Sequence, residues 1–256
     1  MGNDQLIYIV TIAIITIIIC IYFYKNISGE IPIVVIAYNN LFFVRNFIEQ
    51  IKHFKNPIIL FDNNSTYEPL LQYYKEVKTE LGSKINIRLL DDNYGGGVYQ
   101  VFKNELPNIF ILSDPDLQLN PNMPENFSEI LLNLSNKYQA YKVALALDIS
   151  EKDKLIPCKN YTGGKSIYDW ETQYWKNRIS DSNYELYRGG HAMDTTFCLI
   201  NYNYLKENKI RIAGDFTAKH LPWYKNFLKN NIPEDELEYW KDGNNSSSIL
   251  ESCITD

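Results

Sequence analysis

Two carboxylates two residues apart are the side chains whose type and spacing point to chemistry first. Asp114 and Asp116 follow the apolar run 109–112 and flank Pro115, whose ring fixes φ and stiffens the loop. Carboxylates in this arrangement can converge on one hard cation, Mg²⁺ or Mn²⁺, which prefers oxygen ligands and often keeps substrate phosphates as further ligands. A D-x-D sequence is common in turns, and its place directly after a buried strand favours the metal-binding interpretation.

The second half of the chain supplies a further ligand and two candidate bases. His220, next to Pro222 and Trp223, can join carboxylates on Mn²⁺. Asp194 precedes a predicted strand and would act as general base if it reaches an acceptor hydroxyl. Glu171, in a tryptophan-rich segment, is the rival base. A purely structural role is the competing interpretation for each of the three.

Polar and glycine residues follow four predicted strands, at the points where open α/β sheets bind ligands. The candidate ligand contacts at these strand ends are Ala37, Tyr38, Asn39, Asp62, Asn64, Gly95, Gly96 and Asp114. The glycine run can let the backbone approach a ligand closely. It has neither the Rossmann spacing nor the lysine of a Walker A loop, which disfavours a dehydrogenase and a P-loop kinase.

These residues depend on a sheet wound with helices. Short apolar runs alternate with helical patterns, which predicts an α/β fold with a mixed, mostly parallel sheet and flanking helices. The predicted strands are 33–36, 57–61, 85–90, 109–112, 143–147 and 195–200. The predicted helices are 42–54, 67–81, 125–138 and a segment around 168–175.

The first residues have the composition of a membrane span. Residues 6–24 carry no charged side chain, and ~19 helical residues extend ~28 Å, close to the hydrocarbon thickness of a bilayer. Aromatic residues and Lys25 follow, as at a membrane interface. We therefore predict an N-terminal anchor over 1–26, a globular domain over 27–242 and a loose tail over 243–256.

Composition excludes several classes of protein. The 256 residues include 25 basic and 31 acidic side chains, and the net charge of −6 argues against a nucleic-acid binder. The four cysteines lack C-x-x-C spacing, which argues against a structural zinc site. Cys158 and Cys253 can pair in an oxidising compartment, and the sequence leaves this open.

The order of these segments resembles GT-A-fold glycosyltransferases of the family-2 type, in particular a poorly characterised membrane-anchored branch. The resemblance covers about residues 31–241. The matching segments are 62–65, 93–97, 113–116, 194–197 and 219–224.

This resemblance implies a GT-A domain that transfers a sugar from a nucleotide-diphosphate donor, with a UDP-sugar favoured, to a hydroxyl of a glycan, glycoprotein or glycolipid. Ala37, Tyr38 and Asn39 would border the nucleotide, and Asp62 would contact the base or ribose. Asp114 would approach the ribose or a metal-bound water, Asp116 and His220 would ligate Mn²⁺ or Mg²⁺, and Asp194 would be the base of an inverting reaction.

The resemblance also implies a hexosyltransferase-type enzyme on a single-pass membrane anchor, in the ER or Golgi if the cell or its virus is eukaryotic. The Gln-x-x-Arg-Trp sequence of processive synthases is absent from the chain, which favours a non-processive enzyme. Two alternatives stay open: a sugar-phosphate nucleotidyltransferase, and a membrane-anchored carbohydrate-binding protein without catalysis, whose tryptophans would stack on sugars.

Overall fold

The described strands form a single mixed sheet. The computed structural model describes residues 30–158, 162–190, 197–243 and Cys253. Within these ranges the strands are β1 (Ile33–Ala37), β2 (Ile58–Asp62), β3 (Ile85–Leu89), β4 (Ile109–Ser113), β5 (Leu117–Leu119), β6 (Lys142–Leu147), β7 (Arg178–Ile179), β8 (Leu186–Arg188), β9 (Cys198–Asn201) and β10 (Lys209–His220). Their order in the sheet is β3-β2-β1-β4-β9-β6-β10-β8-β7, and β5 pairs with β10.

Helices cover the sheet and connect its strands. The α-helices of the described ranges are α1 (Leu41–Ile51), α2 (Glu68–Leu81), α3 (Val98–Val101), α4 (Phe127–Tyr138), α5 (Ile167–Thr172), α6 (Phe227–Asn231) and α7 (Glu234–Lys241). Short 3₁₀ turns include Gly95–Gly97, Gln173–Trp175 and Leu221–Trp223.

The first half folds as its apolar pattern predicts. All five residues of β1 are buried, because the strand is central and both of its faces are covered. Val34 and Ile36 pack in a cluster with Phe61 and Phe110 on one face. Helix α1 buries Phe43 and its apolar neighbours at helical spacing. The strands and helices predicted over residues 33–147 are therefore confirmed, with bounds that shift by one to three residues.

The sheet is mixed, as predicted, and most of its described strands share one direction, since only β5, β8 and β9 run opposite to the others. Among the described residues, four strand pairings are parallel and five are antiparallel. The parallel order β3-β2-β1-β4 is interrupted by β9, which runs antiparallel to both β4 and β6. Beyond it, β10 pairs antiparallel with β5 and β8.

The longest strand, β10, was not predicted from the sequence. It pairs with β6 through Ile212, shifts register, and resumes pairing at Thr217. The four residues between, 213–216, form the irregularity and include Gly214 at φ +69°. The interruption breaks the alternation of apolar and polar residues that marks a strand in a sequence.

Several predictions fall on residues outside the described ranges. The predicted membrane span, 6–24, is one of them, and no helix within the described ranges is long and apolar enough to cross a bilayer. The predicted tail is described only at Gly243 and Cys253. Asn93 Nδ2 donates to the Gly243 carbonyl at 3.1 Å, and Cys253 is bonded to Cys158. The chain is thus held at these two positions, and the rest of the loose tail predicted over 243–256 lies outside the described residues.

Candidate functional site

The predicted site residues gather at one edge of the sheet. β1, β2, β3 and β4 run parallel, and β6 and β10 point the same way because β9 is antiparallel to both β4 and β6. The segments that follow these strands therefore share the carboxyl edge, where open α/β sheets bind ligands.

Asp116 and His220 meet at this edge. The Nε2 atom of His220 lies 3.2 Å from Oδ2 of Asp116, and the two side chains are 19% and 15% exposed. The register of β10 and β5, which pairs His220 with Leu117, brings them together. The N–H of Leu221 donates to the Asp116 carbonyl at 2.9 Å and closes the strand end.

The pair has the chemistry of a divalent-cation site. Oδ1 of Asp116 is buried and accepts no hydrogen bond from the described residues, an arrangement that costs free energy unless another group satisfies the oxygen. Among the described residues no cluster of three or more His, Cys, Asp or Glu side chains could hold a metal ion. One carboxylate and one imidazole fit a cation that takes its other ligands from substrate phosphates and water.

Asp114, the third predicted metal ligand, does not form a three-ligand cluster with Asp116 and His220. It follows β4 directly and is half-buried, and its carbonyl accepts a hydrogen bond from Ser113 Oγ at 2.7 Å. The structure thus brings two of the three predicted metal ligands into contact, and Asp114 completes no three-ligand cluster with them. Its contact with ribose or a metal-bound water stays a prediction.

The loop after β1 is built around Asn39. Its backbone adopts φ +48°, a left-handed conformation that asparagine tolerates better than most residues. Oδ1 of Asn39 accepts the N–H groups of Thr66 and Tyr67 at 2.8 and 3.0 Å. The buried Asn39 therefore fixes the β1 and β2 loops to each other. Ala37 is buried beside it, and its carbonyl accepts the Asn63 N–H at 2.9 Å.

Tyr38, by contrast, is only half-buried at the edge. Its hydroxyl donates to the carbonyl oxygen of Asp242 at 2.6 Å. Burial, followed by the nearby Asp242 carboxylate, raises the pKa of the Tyr38 hydroxyl, so the group stays a donor across the physiological range.

Asp62 is 1% exposed and lies inside the β2 loop. Oδ1 accepts the Ser65 N–H at 2.7 Å, and Oδ2 accepts the Tyr74 hydroxyl at 2.6 Å. Burial raises the pKa of the Asp62 carboxyl, although both hydrogen bonds oppose that shift. With both oxygens engaged inward, Asp62 shapes the loop, and its predicted contact with a base or ribose would require one of these bonds to be exchanged.

The loops after β2 and β3 are joined to each other. Asn63 Nδ2 donates to the Gly95 carbonyl at 3.2 Å, and the Tyr94 N–H donates to Asn63 Oδ1 at 3.3 Å. Asn64 is exposed at φ +63°, and Gly95 has φ +58°. Gly96 is half-buried in the 3₁₀ turn that follows. These three predicted ligand contacts thus lie together at the site edge.

The structure describes only one of the two candidate bases. Asp194 lies outside the described residues, and its role stays a prediction. Glu171 is 1% exposed and forms a buried ion pair with Arg211 of β10, whose guanidinium also lies 4.2 Å from the centre of the Tyr174 ring. A carboxylate so placed cannot reach an acceptor hydroxyl without breaking the pair. The geometry thus engages Glu171 in an ion pair, and its role as the rival base stays a prediction.

The structure also places groups at this edge that sequence reasoning missed. Lys219 Nζ lies 2.5 Å from Glu151 Oε2, and Lys154 pairs with the same carboxylate. Hydrogen bonds from Lys154 and Lys219 lower the pKa of Glu151 to about 2. Asp242 and Gly243, which follow α7, lie against Tyr38 and Asn93. A strand predicted over 209–220 would have placed Lys219 at this edge. No local sequence pattern indicates the position of Asp242 and Gly243.

Comparison with solved structures identifies the class of fold. The structure of GalNAc-T7 with UDP, GalNAc and Mn²⁺ aligns at a TM-score of 0.52 and 10% identity, over 75% of this chain and 43% of that one. The mannosyltransferase PcManGT from Pyrobaculum calidifontis with GDP-Man and Mn²⁺ aligns at 0.38 and 11% identity, over 48% and 36%. The 4-diphosphocytidyl-2C-methyl-D-erythritol synthase from Anaerococcus prevotii aligns at 0.35 and 11% identity, over 86% and 85%.

The chain therefore has the mixed α/β architecture of the GT-A fold, on the likeness to GalNAc-T7. The other two likenesses are too weak to define a fold. The chain spans less than half the length of either glycosyltransferase chain. No protein-family model and no curated protein matches its sequence.

Proposed function

We propose that this chain is a metal-dependent glycosyltransferase that moves a sugar from a nucleotide-diphosphate donor to an acceptor hydroxyl. One observation carries the proposal. A carboxylate and an imidazole, Asp116 and His220, meet at the carboxyl edge of a GT-A fold, and the carboxylate keeps a buried oxygen that no described residue satisfies.

Each group at the edge has a part in this reaction. Asp116 and His220 would hold Mn²⁺ or Mg²⁺, which when bound stabilises negative charge on the departing nucleoside diphosphate. Tyr38, which is only half-buried, would border the nucleoside. Asn39 and Asp62 hold the loops after β1 and β2 in shape through their buried hydrogen bonds.

A UDP-sugar is the favoured donor, because UDP is the nucleotide in the GalNAc-T7 complex. The acceptor would be a hydroxyl of a glycan, glycoprotein or glycolipid. Asp194 is the proposed base, and the buried pair that Glu171 forms with Arg211 supports this choice. We further propose inversion at the anomeric carbon and a non-processive reaction, on the sequence resemblance alone.

Membrane association is part of the proposal and rests on sequence. Residues 6–24 carry no charge and are long enough to span a bilayer. The bond between Cys158 and Cys253 supports a globular domain on the oxidising side of such a membrane, because disulfides persist in secretory and extracellular compartments.

Release of nucleoside diphosphate from sugar donors tests the proposal. The full chain is incubated with UDP-sugars and GDP-sugars, with Mn²⁺ or with EDTA, and freed UDP or GDP is measured with and without a mixture of glycan acceptors. We expect one nucleotide class to be released, and release to stop in EDTA.

The products distinguish the alternatives. Formation of pyrophosphate from a nucleoside triphosphate and a sugar phosphate would replace this proposal by nucleotidyl transfer. Glycan binding that needs neither nucleotide nor metal, without any release, would replace it by a carbohydrate-binding role.

A further inference from the structure

Two side chains hold the backbone that follows α7 against the loops after β1 and β3. Tyr38 Oη donates to the Asp242 carbonyl at 2.6 Å, and Asn93 Nδ2 donates to the Gly243 carbonyl at 3.1 Å. Tyr38 and Asn93 belong to strand-end segments at the proposed donor site. Asp242 and Gly243 are thereby placed at that site although they lie about 200 residues from Tyr38 in the sequence.

Helix α7 does not need these two bonds in order to dock. The Trp240 ring packs edge-on against Phe43, with ring centres 5.3 Å apart. Oε1 of Glu236 accepts the Phe42 N–H at 2.6 Å. The helix is fixed by its own buried contacts, so the bonds from Tyr38 and Asn93 set the position of the two residues beyond it.

Gly243 is required there for two separate reasons. Its φ of +69° lies in the left-handed region that favours glycine. A Cβ at this position would lie 2.7 Å from the Tyr38 hydroxyl oxygen, so the Tyr38 side chain would have to move to accommodate it. The backbone thus comes directly against the Tyr38 side chain, and any larger residue at 243 would displace the Tyr38 hydroxyl.

We propose that Asp242 and Gly243 form one wall of the subsite for the nucleoside part of the donor, facing the loop that carries Tyr38. The inference rests on the proposed function. A nucleoside presents ring N–H groups and ribose hydroxyls, and the exposed carboxylate of Asp242 is an acceptor for either. The Tyr38 ring beside it offers a stacking surface for a base.

A cycle of variants in the full chain tests the wall. The dissociation constants of UDP and GDP with Mn²⁺ are measured by titration calorimetry for wild type, Gly243→Ala, Tyr38→Phe and the double variant. Gly82→Ala is the matched control, since Gly82 also has a left-handed φ, of +54°, and a Cβ there meets nothing within 4 Å. Pyrophosphate with Mn²⁺ serves as a ligand without a nucleoside.

We expect Gly243→Ala to weaken binding of the preferred nucleotide about tenfold, the loss of about one well-placed hydrogen bond. Pyrophosphate binding should not change, and Gly82→Ala should bind as wild type does. In the double variant the hydroxyl that meets the new Cβ is gone, so its affinity should lie close to that of Tyr38→Phe alone.

Wild-type affinity in Gly243→Ala would overturn this inference and leave the proposed function standing. Tighter binding by that variant would also overturn it, because the segment would then obstruct the nucleotide. An equal loss of pyrophosphate affinity would place the wall at the phosphates instead and contradict the nucleoside assignment. If wild type binds neither nucleotide, the proposed function fails and the inference with it.

Discussion

At the scale of single residues, the site depends on one carboxylate whose two oxygens have different surroundings. Oδ2 of Asp116 meets the imidazole of His220, while Oδ1 is buried without a hydrogen bond from the described residues. Asp62 shows the opposite arrangement, with both oxygens engaged by its own loop. Both residues lie at strand ends in the sequence, and only the structure shows that one carboxylate keeps a buried oxygen without a described partner while the other uses both oxygens to hold its loop.

The replacement Asp116→Asn tests this residue. An amide keeps the shape and removes the charge, so the variant should fold as wild type does and lose Mn²⁺-dependent nucleotide binding by at least ~100-fold, as expected when a charged ligand is removed. Asp215→Asn, on the exposed irregular part of β10, is the control and should bind normally. Titration with UDP and GDP in Mn²⁺ reports both. Normal metal-dependent binding by Asp116→Asn would remove Asp116 from the site.

At the scale of elements, the first half of the fold was predictable and the second only in part, where the predicted strand 195–200 overlaps β9 and the predicted helix around 168–175 overlaps α5. β1, β2 and β4 are short and apolar, and β1 and β2 are each followed by an amphipathic helix, so local patterns identify them. β7 and β8 have two and three residues, too few for a periodic signal. β10 is long but interrupted at 213–216.

The site was predictable to the same extent. Asp116 and the residues of the loops after β1, β2 and β3 were predicted as site residues because they follow clear apolar runs. The contact between Asp116 and His220 depends on the pairing of β5 with β10, two strands that are far apart in the sequence. The hydrophobic pattern does not indicate this pairing, whereas the resemblance to GT-A enzymes predicted that both residues bind the metal. The place of Asp242 and Gly243 depends on how α7 docks, which local patterns do not encode.

The ion pair between α5 and β10 makes a prediction at this scale. Glu171→Gln should lower the free energy of unfolding by about 3 kcal/mol, because it leaves the buried Arg211 guanidinium without a counter-charge. Replacing both residues, Glu171→Leu with Arg211→Met, should recover most of that loss. Glu125→Gln, at an exposed position, is the control. Denaturant unfolding measures all three.

The same variant separates structure from catalysis. Unchanged stability in Glu171→Gln together with lost turnover would contradict the structural role and restore Glu171 as a base. Reduced stability with turnover retained at a permissive temperature would agree with the account.

At the scale of the whole molecule, the chain returns twice to the carboxyl edge. Helix α7 covers the loops after β1 and β2, and Gly243 lies beside Asn93. Further along the chain, Cys253 is bonded to Cys158, in a segment whose Ile156 N–H donates to the Trp223 carbonyl, just beyond His220. The nucleotide side of the proposed site thus contacts residues 242–243, and the segment that contacts Trp223 near the metal side is joined to Cys253.

The most direct test of a metal-bridged diphosphate site is thermal unfolding of the full chain with UDP or GDP, each with Mn²⁺ or with EDTA. At 100 times its dissociation constant a ligand adds about 2.7 kcal/mol, which for a domain of this size raises the midpoint by about 5 to 10 °C. We predict such a rise with one nucleotide in Mn²⁺ and its disappearance in EDTA. A midpoint that neither nucleotide moves, or a rise that persists in EDTA, would contradict the account.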